Sequence, residues 1–429
     1  MEYPRVLIFS NNCFSKTDSN GRTLLNFFKG WPKEKIAQFY VQNAEPDFSY
    51  CSRYYRVTDK EALKSFYSSK KGGIITATDD DKIRVEVASC NKNIHSNRNS
   101  ITMLLRDVIW NMGCWKTKEY EDWIRDIKPE IVLLQAGDCA FMFKLAMSTA
   151  KKTGAKFVIY NTEGYYFKQF DYFRSRGIAH LMYAVFRCNL MKIIKKAYNM
   201  VDLAIFNCDA LRDDFCKEFH MKSGVVYTAT DVSDSKKTKG SCSEFITSYA
   251  GNLGVGRPES LIDVANVLKS IDDSLYLDIY GTIPNSEVEQ LFNNCPGIRF
   301  HGRVSYEEVK RVMQNSDLLI HVESFDSFYR EDSKYAFSTK IADCLASNTC
   351  FLMYAPNEFA ATKYLLHNRA AYVASCYDEL KVALQEIVSD SQLRNKYCSN
   401  AVKISKQNHD MDASVYKFQK LLCNLCGNQ

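Results

Sequence analysis

The sequence predicts an α/β protein with two doubly wound, Rossmann-like domains. Two observations carry this prediction. Short apolar runs rich in β-branched residues alternate with helix-like segments, which is typical of an open, mostly parallel sheet. The alternation stops in a polar, Ser- and Lys-rich stretch at 232–244 and then restarts, which indicates a linker between two domains.

The predicted organisation follows directly from that interruption. We expect an N-terminal domain over residues 1–232, a linker over 233–244 and a C-terminal domain over 245–400. A last helical segment, 401–429, can return to the N-terminal domain. Because ligands of open parallel sheets bind beyond the carboxyl ends of the strands, we expect the site in the loops after strands and in the cleft between the domains.

In the first half, each predicted strand is a short apolar run that ends in a polar loop. These strands are RVLIFS (5–10), IVLLQAG (131–137), KFVIYNTEG (156–164), VDLAIFNCD (201–209) and SGVVYTATD (223–231). Helical patterns follow most of them, beginning with LLNFFKGW (24–31).

In the second half, strands and helices alternate in the same way. The predicted strands are FITSYAGNLG (245–254), LYLDIYGTIP (275–284), IRFHGRV (298–304), DLLIHVESF (317–325) and TCFLMYAP (349–356). Helical patterns lie between them, and the chain from Tyr377 onward is predicted to be mostly helical.

Composition and charge limit the classes of function. Of 429 residues, 46% are hydrophobic and 25% are charged, as in an ordinary globular protein. A net charge of +6 without a concentrated basic stripe argues against a nucleic-acid binder. This charge is compatible with anionic substrates or an anionic membrane surface.

The 16 cysteines and the hydropathy pattern indicate a cytoplasmic protein. Most cysteines lie singly in apolar runs, as reduced buried thiols do, and the Cys423/Cys426 pair has no second pair spaced for a metal. The start MEYPRVLIFS does not resemble a signal peptide, and no apolar run approaches the roughly 20 residues of a membrane span. Any membrane contact is therefore expected to be peripheral.

The stretch AGNLGVGRPES (250–260) is the first candidate site. It follows a strand and precedes a helix, and its three glycines allow tight turns and close approach of a ligand. Arg257 lies at the first helical turn, where backbone N–H groups, the helix dipole and the guanidinium can converge on a phosphate. The alternative is a turn with a surface arginine.

The second candidate is FSTKIADCLASN (337–348). Ser338 or Thr339 alone can be an ordinary helix cap. Lys340 is harder to explain, because a cation in the first turn opposes the helix dipole by roughly 0.3–1 kcal/mol. Asp343 falls three residues later on the same helix face, where a carboxylate can bridge the two hydroxyls of a ribose. Anion and diol together describe a nucleoside diphosphate.

Other strand ends and helix starts carry weaker signals. Glu323 ends a strand in an apolar setting, beside Asp326, and is either a cleft residue or a structural cap of its loop. The loop TDSNGRT (17–23) either binds an anion or simply turns. Glu163 ends a strand before a run of aromatic residues, which is either an acceptor platform or a loop packed on the core.

Two further segments have competing interpretations. The stretch 180–198 is apolar with four basic residues, as in a helix that lies on an anionic membrane or a core helix with a solvated basic edge. Asp79 and Asp81 form an Asp-x-Asp pair, a pattern that can hold a metal, but no predicted strand leads into it. No metal site is therefore predicted.

Together these stretches resemble the GT-B glycosyltransferases, most closely the retaining, sugar-nucleotide-dependent family 4 of bacterial polysaccharide assembly. YAGNLGVGR, IYGTIPN, FHGRVSYEEVKRVMQNSDLLIHVESF and FSTKIADCLAS resemble its donor half in order and spacing. The resemblance departs from the family's E-x7-E pattern, because Glu323 lies 20 residues before Asp343, which is shorter than the family's glutamate.

The resemblance implies a set of site residues. The catalytic residues would be Glu323, Arg257 and Lys340. The donor-binding residues it implies are Gly251, Asn252, Gly281, Ser338, Thr339 and Asp343. From the loops of the first half we expect the acceptor-binding residues to be Asn20, Gly21, Arg22 and Glu163.

The implied reaction moves a sugar from a UDP- or GDP-linked donor to a saccharide or lipid-linked saccharide, with no metal and no other cofactor. Cations would stabilise the leaving diphosphate. Glu323 would hold hydroxyls of the donor sugar. A sugar-nucleotide epimerase of the same fold and a catalytically silent nucleotide-sugar-binding subunit are the alternatives.

Overall fold

The computed structural model describes residues 2–16, 19–68, 71–77, 98–230, 232 and 244–427. The chain forms two compact units. Unit 1 consists of Met1–Val226 together with Val415–Gln429, and unit 2 consists of Tyr227–Ser414. The predicted linker, apart from Glu244, and the Asp79/Asp81 motif lie outside the described residues.

Unit 1 is built on one eight-stranded sheet. Its strands are β1 (Val6–Ser10), β2 (Ile36–Tyr40), β3 (Arg53–Arg56), β4 (Gly73–Ile75), β5 (Ile131–Gln135), β6 (Lys156–Asn161), β7 (Leu203–Phe206) and β8 (Ser223–Val225). They are arranged in the order β4-β3-β2-β1-β5-β6-β7-β8, and every neighbouring pair is parallel except β3 and β4. Every residue of β1, β2 and β5 is buried, as expected for strands covered on both faces.

Helices cover this sheet. They are α1 (Ser19–Phe27), α2 (Asp59–Lys64), α3 (Ser100–Met112), α4 (Lys118–Ile127), α5 (Ala140–Thr153), α6 (Ile178–Tyr198) and α7 (Asp209–Glu218). Local signals set their ends: α3 begins at a capping box between Asn99 and Thr102, and glycines in the left-handed conformation, Gly113 and Gly154, end α3 and α5.

The C-terminal helix, α16 (Met411–Cys426), contributes to the core of unit 1. The ring of Phe418 stacks on that of Phe27 with 4.3 Å between centroids, and Gln419 donates to the backbone oxygen of Phe27 at 3.0 Å. A Cβ on Gly224 would lie 2.8 Å from a terminal methyl of Leu421, so the glycine in β8 lets this helix pack closely against the strand.

Unit 2 is a six-stranded, fully parallel sheet. Its strands are β9 (Thr247–Ala250), β10 (Leu277–Tyr280), β11 (Ile298–Gly302), β12 (Leu318–Val322), β13 (Cys350–Tyr354) and β14 (Tyr372–Ala374), in the order β11-β10-β9-β12-β13-β14. This is the Rossmann order 3-2-1-4-5-6. Its helices are α8 (Arg257–Ile271), α9 (Ser286–Asn293), α10 (Tyr306–Asn315), α11 (Ser327–Ser333), α12 (Thr339–Ala346), α13 (Ala360–Asn368), α14 (Tyr377–Ser389) and α15 (Ser391–Asn408).

The predicted fold class, two doubly wound Rossmann-like sheets, is confirmed. In each sheet the chain runs outward from a central strand and then returns to its other side, which creates a switch point between β1 and β5 in unit 1 and between β9 and β12 in unit 2. Ligands of such sheets bind at the carboxyl ends of the strands beside the switch point.

One local prediction is wrong. The stretch 17–23 was expected to be a loop, but α1 already begins at Ser19, so Asn20, Gly21 and Arg22 lie in its first turn. A Cβ at Gly21 would lie 2.3 Å from the backbone oxygen of Cys13. This glycine therefore serves the close approach of the segment after β1, not a turn.

Candidate functional site

The switch point of unit 2 brings the loops after β9 and β12 into contact. Gly256, just before α8, has a φ of 67°, and a Cβ there would lie 2.5 Å from the Ser324 hydroxyl. Only glycine meets both requirements without strain. The result is that Arg257, the first residue of α8, lies beside Glu323, the first residue after β12.

Arg257 and Glu323 form a buried ion pair. One guanidinium nitrogen of Arg257 donates to both carboxylate oxygens of Glu323, at 2.9 and 2.8 Å, and the two side chains are 12% and 5% exposed. The His321 ring lies 3.2 Å from the same carboxylate. Burial alone would raise the pKa of Glu323, but the hydrogen bond from His321 and the charge of Arg257 outweigh it and lower the pKa to about 2. Glu323 is therefore an ionised, fully engaged carboxylate.

Lys340 lies in the first turn of α12 and extends to the loop after β9. A Cβ at Gly251 would lie only 2.0 Å from the Lys340 ammonium, which passes 5.7 Å from the centroid of the Tyr249 ring. Burial and then the repulsion of Arg257 lower the pKa of Lys340 to about 8. Within the ranges that the structure describes, no carboxylate forms an ion pair with this lysine. Lys340 is a largely buried cation without a salt-bridge partner at a helix N-terminus.

Ser338 caps α12. Its hydroxyl accepts a hydrogen bond from the backbone N–H of Lys340 at 3.3 Å, which confirms the capping interpretation. Thr339 is the first residue of the helix. The cap does not account for Lys340, because no acidic residue offsets its charge in the first turn.

Asp343 lies one turn after Lys340 and is buried. Its Oδ1 accepts hydrogen bonds from the Thr230 hydroxyl at 2.6 Å and the Tyr306 hydroxyl at 3.3 Å. The first of these partners is 113 residues away in the sequence and could not be foreseen. The carboxylate is thus already engaged with hydroxyl donors, the kind of group that the ribose prediction requires it to bind.

A cavity of about 320 Å³ lies beside Gly251, the glycine that contacts the Lys340 side chain. It is lined by Gly251, Asn252, Tyr280, Gly281, Thr282, Arg303, Val304 and Val309. A Cβ at Gly281 would lie 2.4 Å from the backbone oxygen of Gly251, so the two loops touch through glycines. The Tyr280 ring, which lines the cavity, stacks on the His301 ring with 4.6 Å between centroids.

Sequence reasoning overlooked His321 in this site. It precedes Glu323 by two residues at the end of β12, and residues two apart on a strand face the same side. That spacing was a usable signal. The proximity of Arg257 to Glu323, 66 residues apart, was not readable from spacing.

In unit 1, the four predicted acceptor residues lie after β1 and β6. Asn20, Gly21 and Arg22 form the first turn of α1, with Gly21 buried. Glu163 is exposed, and its backbone N–H donates to the Asn161 side chain at 3.1 Å.

A polar cluster at the switch point of unit 1 was missed. Asp138, three residues after β5, is buried and accepts hydrogen bonds from Arg98 at 2.6 Å and the Tyr172 hydroxyl at 3.3 Å. Across the switch point, Asn11 follows β1 directly, and its buried side-chain oxygen has no hydrogen-bond partner within the described part of the chain. Asp138 could have been found as an acid that follows a predicted strand. Arg98 could not.

A larger cavity, of about 1020 Å³, lies at the amino ends of the unit 1 strands. Lys128, Lys152 and Lys156 are among the residues that line it. Lys128 is the C-cap of α4 and Lys152 lies in the last turn of α5, where cations are favoured by the helix dipole. Lys152 also pairs with Glu121 at 3.3 Å, and Lys156, the first residue of β6, pairs with Asp202 at 3.1 Å. Helix ends and ion pairs account for these charges, so we assign no function to this cavity.

No group of three His, Cys, Asp or Glu side chains in the described ranges is arranged to hold a metal ion. Cys423 and Cys426 are free thiols on α16, and burial raises the pKa of Cys423 to about 11. None of the helices that the structure describes is long and apolar enough to cross a membrane.

Comparisons with known proteins support the fold. No protein-family model and no curated protein matches this chain in sequence. Among solved structures, HepE from Anabaena in complex with UDP aligns with a TM-score of 0.64 and 12% identity over 98% of this chain and 100% of HepE.

Two other solved structures align over nearly their whole length. Sucrose-phosphate synthase from Thermosynechococcus elongatus has a TM-score of 0.63 and 10% identity over 99% of each chain. A glycosyltransferase from Rickettsia africae has a TM-score of 0.62 and 13% identity over 100% of each chain. At these identities the structural similarity establishes a shared fold. Both units have the Rossmann-like sheet that the GT-B fold also has.

Proposed function

We propose that the protein is a retaining glycosyltransferase. It takes a sugar from a nucleoside diphosphate donor, UDP- or GDP-linked, and passes it to a saccharide or lipid-linked saccharide. The shared fold with a glycosyltransferase and with HepE, a protein crystallised with UDP and with UDP-glucose, supports this proposal. The observation that carries it is Lys340 at the N-terminus of α12, a largely buried cation with no ion-pair partner in the part of the chain that the structure describes.

In this proposal the donor binds to unit 2. The backbone N–H groups at Ser338 and Thr339 and the charge of Lys340 receive the diphosphate. The 320 Å³ cavity beside Gly251, Asn252 and Gly281 receives the nucleoside. Asp343 takes the ribose hydroxyls, sharing its carboxylate with Thr230.

The proposed chemistry depends on the leaving group. As the bond between the sugar and the diphosphate breaks, negative charge grows on the phosphate, and Lys340 and Arg257 stabilise that charge in a preorganised site. Glu323 holds Arg257 in place through its bidentate contact. Because both oxygens of Glu323 are committed to Arg257, this carboxylate is poorly suited to attack the sugar, which favours front-face transfer without a protein nucleophile.

The acceptor is assigned to unit 1, at the carboxyl ends of its strands. The predicted residues there are Asn20, Gly21, Arg22 and Glu163. We add Asp138, because an ionised carboxylate accepts hydrogen bonds from sugar hydroxyls and lies at the switch point of the sheet.

A donor panel tests the function. The protein is incubated with UDP- and GDP-linked sugars and with a mixture of saccharide acceptors, and the products are followed by NMR, which reads the configuration at the anomeric carbon. Transfer or slow hydrolysis with retention supports the proposal. Formation of an epimer of the donor, binding without turnover, or an inverted product would each replace it with another function.

Proton uptake tests the role of Lys340 separately from turnover. At pH 8, a lysine with a pKa of about 8 is half protonated, and a bound diphosphate raises that pKa. Binding of UDP should therefore take up about 0.5 proton per site. Calorimetry in two buffers of different ionisation heat measures this number, and Lys340→Met should abolish it. Equal uptake by that variant would remove Lys340 from the phosphate site.

The acceptor assignment has its own test. Asp138→Asn keeps the shape of the side chain but removes the charge that attracts hydroxyl donors. The KM for the saccharide acceptor should rise about tenfold, as expected for loss of a charge-assisted hydrogen bond of roughly 1.5 kcal/mol, while the KM for the donor stays unchanged. A normal acceptor KM would place the acceptor elsewhere.

A further inference from the structure

Two neighbouring helices of unit 1 expose apolar side chains side by side. On α6, Ile178, Leu181 and Val185 are exposed, and on α3, Leu105, Val108 and Met112 are exposed, each between 52% and 74%. We call these six residues the α3–α6 patch. Large side chains exposed singly are ordinary, but a contiguous set marks a surface that meets something other than water.

The two halves of the patch belong to one surface. The helices pack against each other, and two hydrogen bonds show that they run in the same direction. The Ser100 hydroxyl at the start of α3 donates to the backbone of Ala179 at the start of α6. Further along, Asn189 of α6 donates to Asp107 of α3 at 3.0 Å.

The spacing of the six exposed residues shows that they lie on one face of each helix. Positions 105, 108 and 112 on α3 and positions 178, 181 and 185 on α6 both follow the interval 0, 3, 7, which places each set on a single stripe. The opposite sides of the helices supply the buried residues, such as Trp110 on α3 and Phe186 on α6. Each helix therefore has one apolar side that packs on the core and a second apolar side that is exposed to solvent.

The exposed charges on α6 and just before it are positive. Helix α6 contains no acidic residue in its 21 positions, and Lys192, Lys195 and Lys196 are exposed in its second half. Arg174 and Arg176 are exposed just before it begins. The one acid of α3, Asp107, is buried and forms an ion pair with Lys144 at 2.9 Å.

We infer that the α3–α6 patch docks on an anionic lipid bilayer. Apolar side chains flanked by cations fit a surface that is apolar below a layer of phosphate charge. The exposed lysines of α6 complement negative charge, and an anionic bilayer offers that charge directly above an apolar layer that can receive the six side chains. This inference does not depend on the proposed transfer reaction.

Vesicle sedimentation tests the inference. The full chain is mixed with phosphatidylcholine vesicles that contain 0, 15 or 30% phosphatidylglycerol. The bound fraction should rise with the anionic lipid and fall at 0.5 M salt, because screening weakens the cation contribution. The double variant Leu105→Asp, Leu181→Asp should bind at least tenfold more weakly. Leu366→Asp, at a leucine of α13 in unit 2 that is 47% exposed, is the control and should bind as wild type does.

A charge variant separates the two contributions. Lys192→Gln, Lys195→Gln, Lys196→Gln should lose most of the dependence on phosphatidylglycerol. Circular dichroism verifies that each variant is folded. Wild-type protein that fails to bind anionic vesicles, or binds equally well after the Asp substitutions, would overturn the inference. A concentration-dependent dimer in light scattering that the Asp substitutions dissociate would also overturn it and assign the patch to a second copy of the chain.

Discussion

Lys340→Met should make the protein more stable and much less active. Methionine has nearly the length of lysine and fills the same space between Gly251 and the Tyr249 ring, but it carries no charge to desolvate. The structure thus predicts changes of opposite sign in stability and in function, a combination that a merely misfolded variant cannot produce.

The magnitude follows from the pKa of Lys340. Burial, with the repulsion of Arg257, lowers that pKa from its ordinary 10.5 to about 8. At about 1.4 kcal/mol per pH unit, keeping this lysine protonated at pH 7 costs the folded state about 3 kcal/mol. The methionine variant avoids that cost. Loss of one preorganised cation from the transition state should lower kcat about a hundredfold.

The stability difference between the Lys340→Met variant and wild type should change with pH in a direction that the pKa fixes. The folded pKa of Lys340 lies below the unfolded one, so the unfolded chain binds more protons between pH 8 and 10.5. The contribution of this group to wild-type stability therefore improves as the pH rises through that window. The advantage of the methionine variant should be largest at pH 7 and shrink toward pH 10.5.

Urea unfolding followed by circular dichroism at pH 7 and pH 10 measures this difference. Tryptophan fluorescence is unsuitable, because the four tryptophans, Trp31, Trp110, Trp115 and Trp123, all lie in unit 1. Lys363→Met, at an exposed lysine on α13, is the control and should change neither stability nor rate. A methionine variant of Lys340 that is less stable than wild type, or that keeps a normal kcat, would refute the reasoning.

Three further predictions concern other parts of the molecule. Asp343→Asn should weaken donor binding about tenfold, because the charge-assisted hydrogen bonds it loses contribute roughly 1–3 kcal/mol. A 2′-deoxyribose analogue of the donor should bind wild type poorly. If wild type binds both donors equally well, Asp343 is a structural residue. Transfer should persist in excess EDTA, and activity that disappears on chelation and returns with Mg²⁺ or Mn²⁺ would contradict the proposed metal-independent mechanism. Burial lowers the pKa of His409 to about 4, so the free energy of unfolding of unit 2 should fall by up to about 3 kcal/mol as the pH falls from 6.5 to 4. Over that range the unfolding temperature of His409→Gln should depend less on pH than that of wild type. Identical pH dependence would show that His409 is not the group responsible.

The strand-and-helix order was readable from the sequence because parallel strands covered on both faces are continuous apolar runs. β1, β5 and β12 were predicted for this reason, and so was the loop that carries Glu323. β9, with the sequence TSYA, and the loop that carries Arg257 were predicted from the glycine-rich stretch between a strand and a helix. The first turn of α12 was also readable, since Ser338 is a common cap and Lys340 an unusual neighbour for it. These are local signals, expressed within a few residues of the side chain concerned.

Three neighbouring strands on one side of the unit 1 sheet escaped the same reasoning. β2, β3 and β4 were not predicted, since runs such as RYYR at 53–56 carry neither a long apolar core nor clear alternation. Their pairing with β1 and with each other, not their own composition, makes them strands. The exposed side of α6 was likewise undecided between a core helix and a surface helix until its neighbour α3 was in place.

Sequence alone therefore determined which residues stand at strand ends and helix starts, because hydrophobic periodicity and capping act over one or two turns. Tertiary structure decided which of them meet: Arg257 with Glu323, Asp343 with Thr230 and Phe418 with Phe27. The physical reason is that these contacts join segments 66 to 391 positions apart. Their distances depend on how whole sheets and helices pack, and no local pattern records that packing.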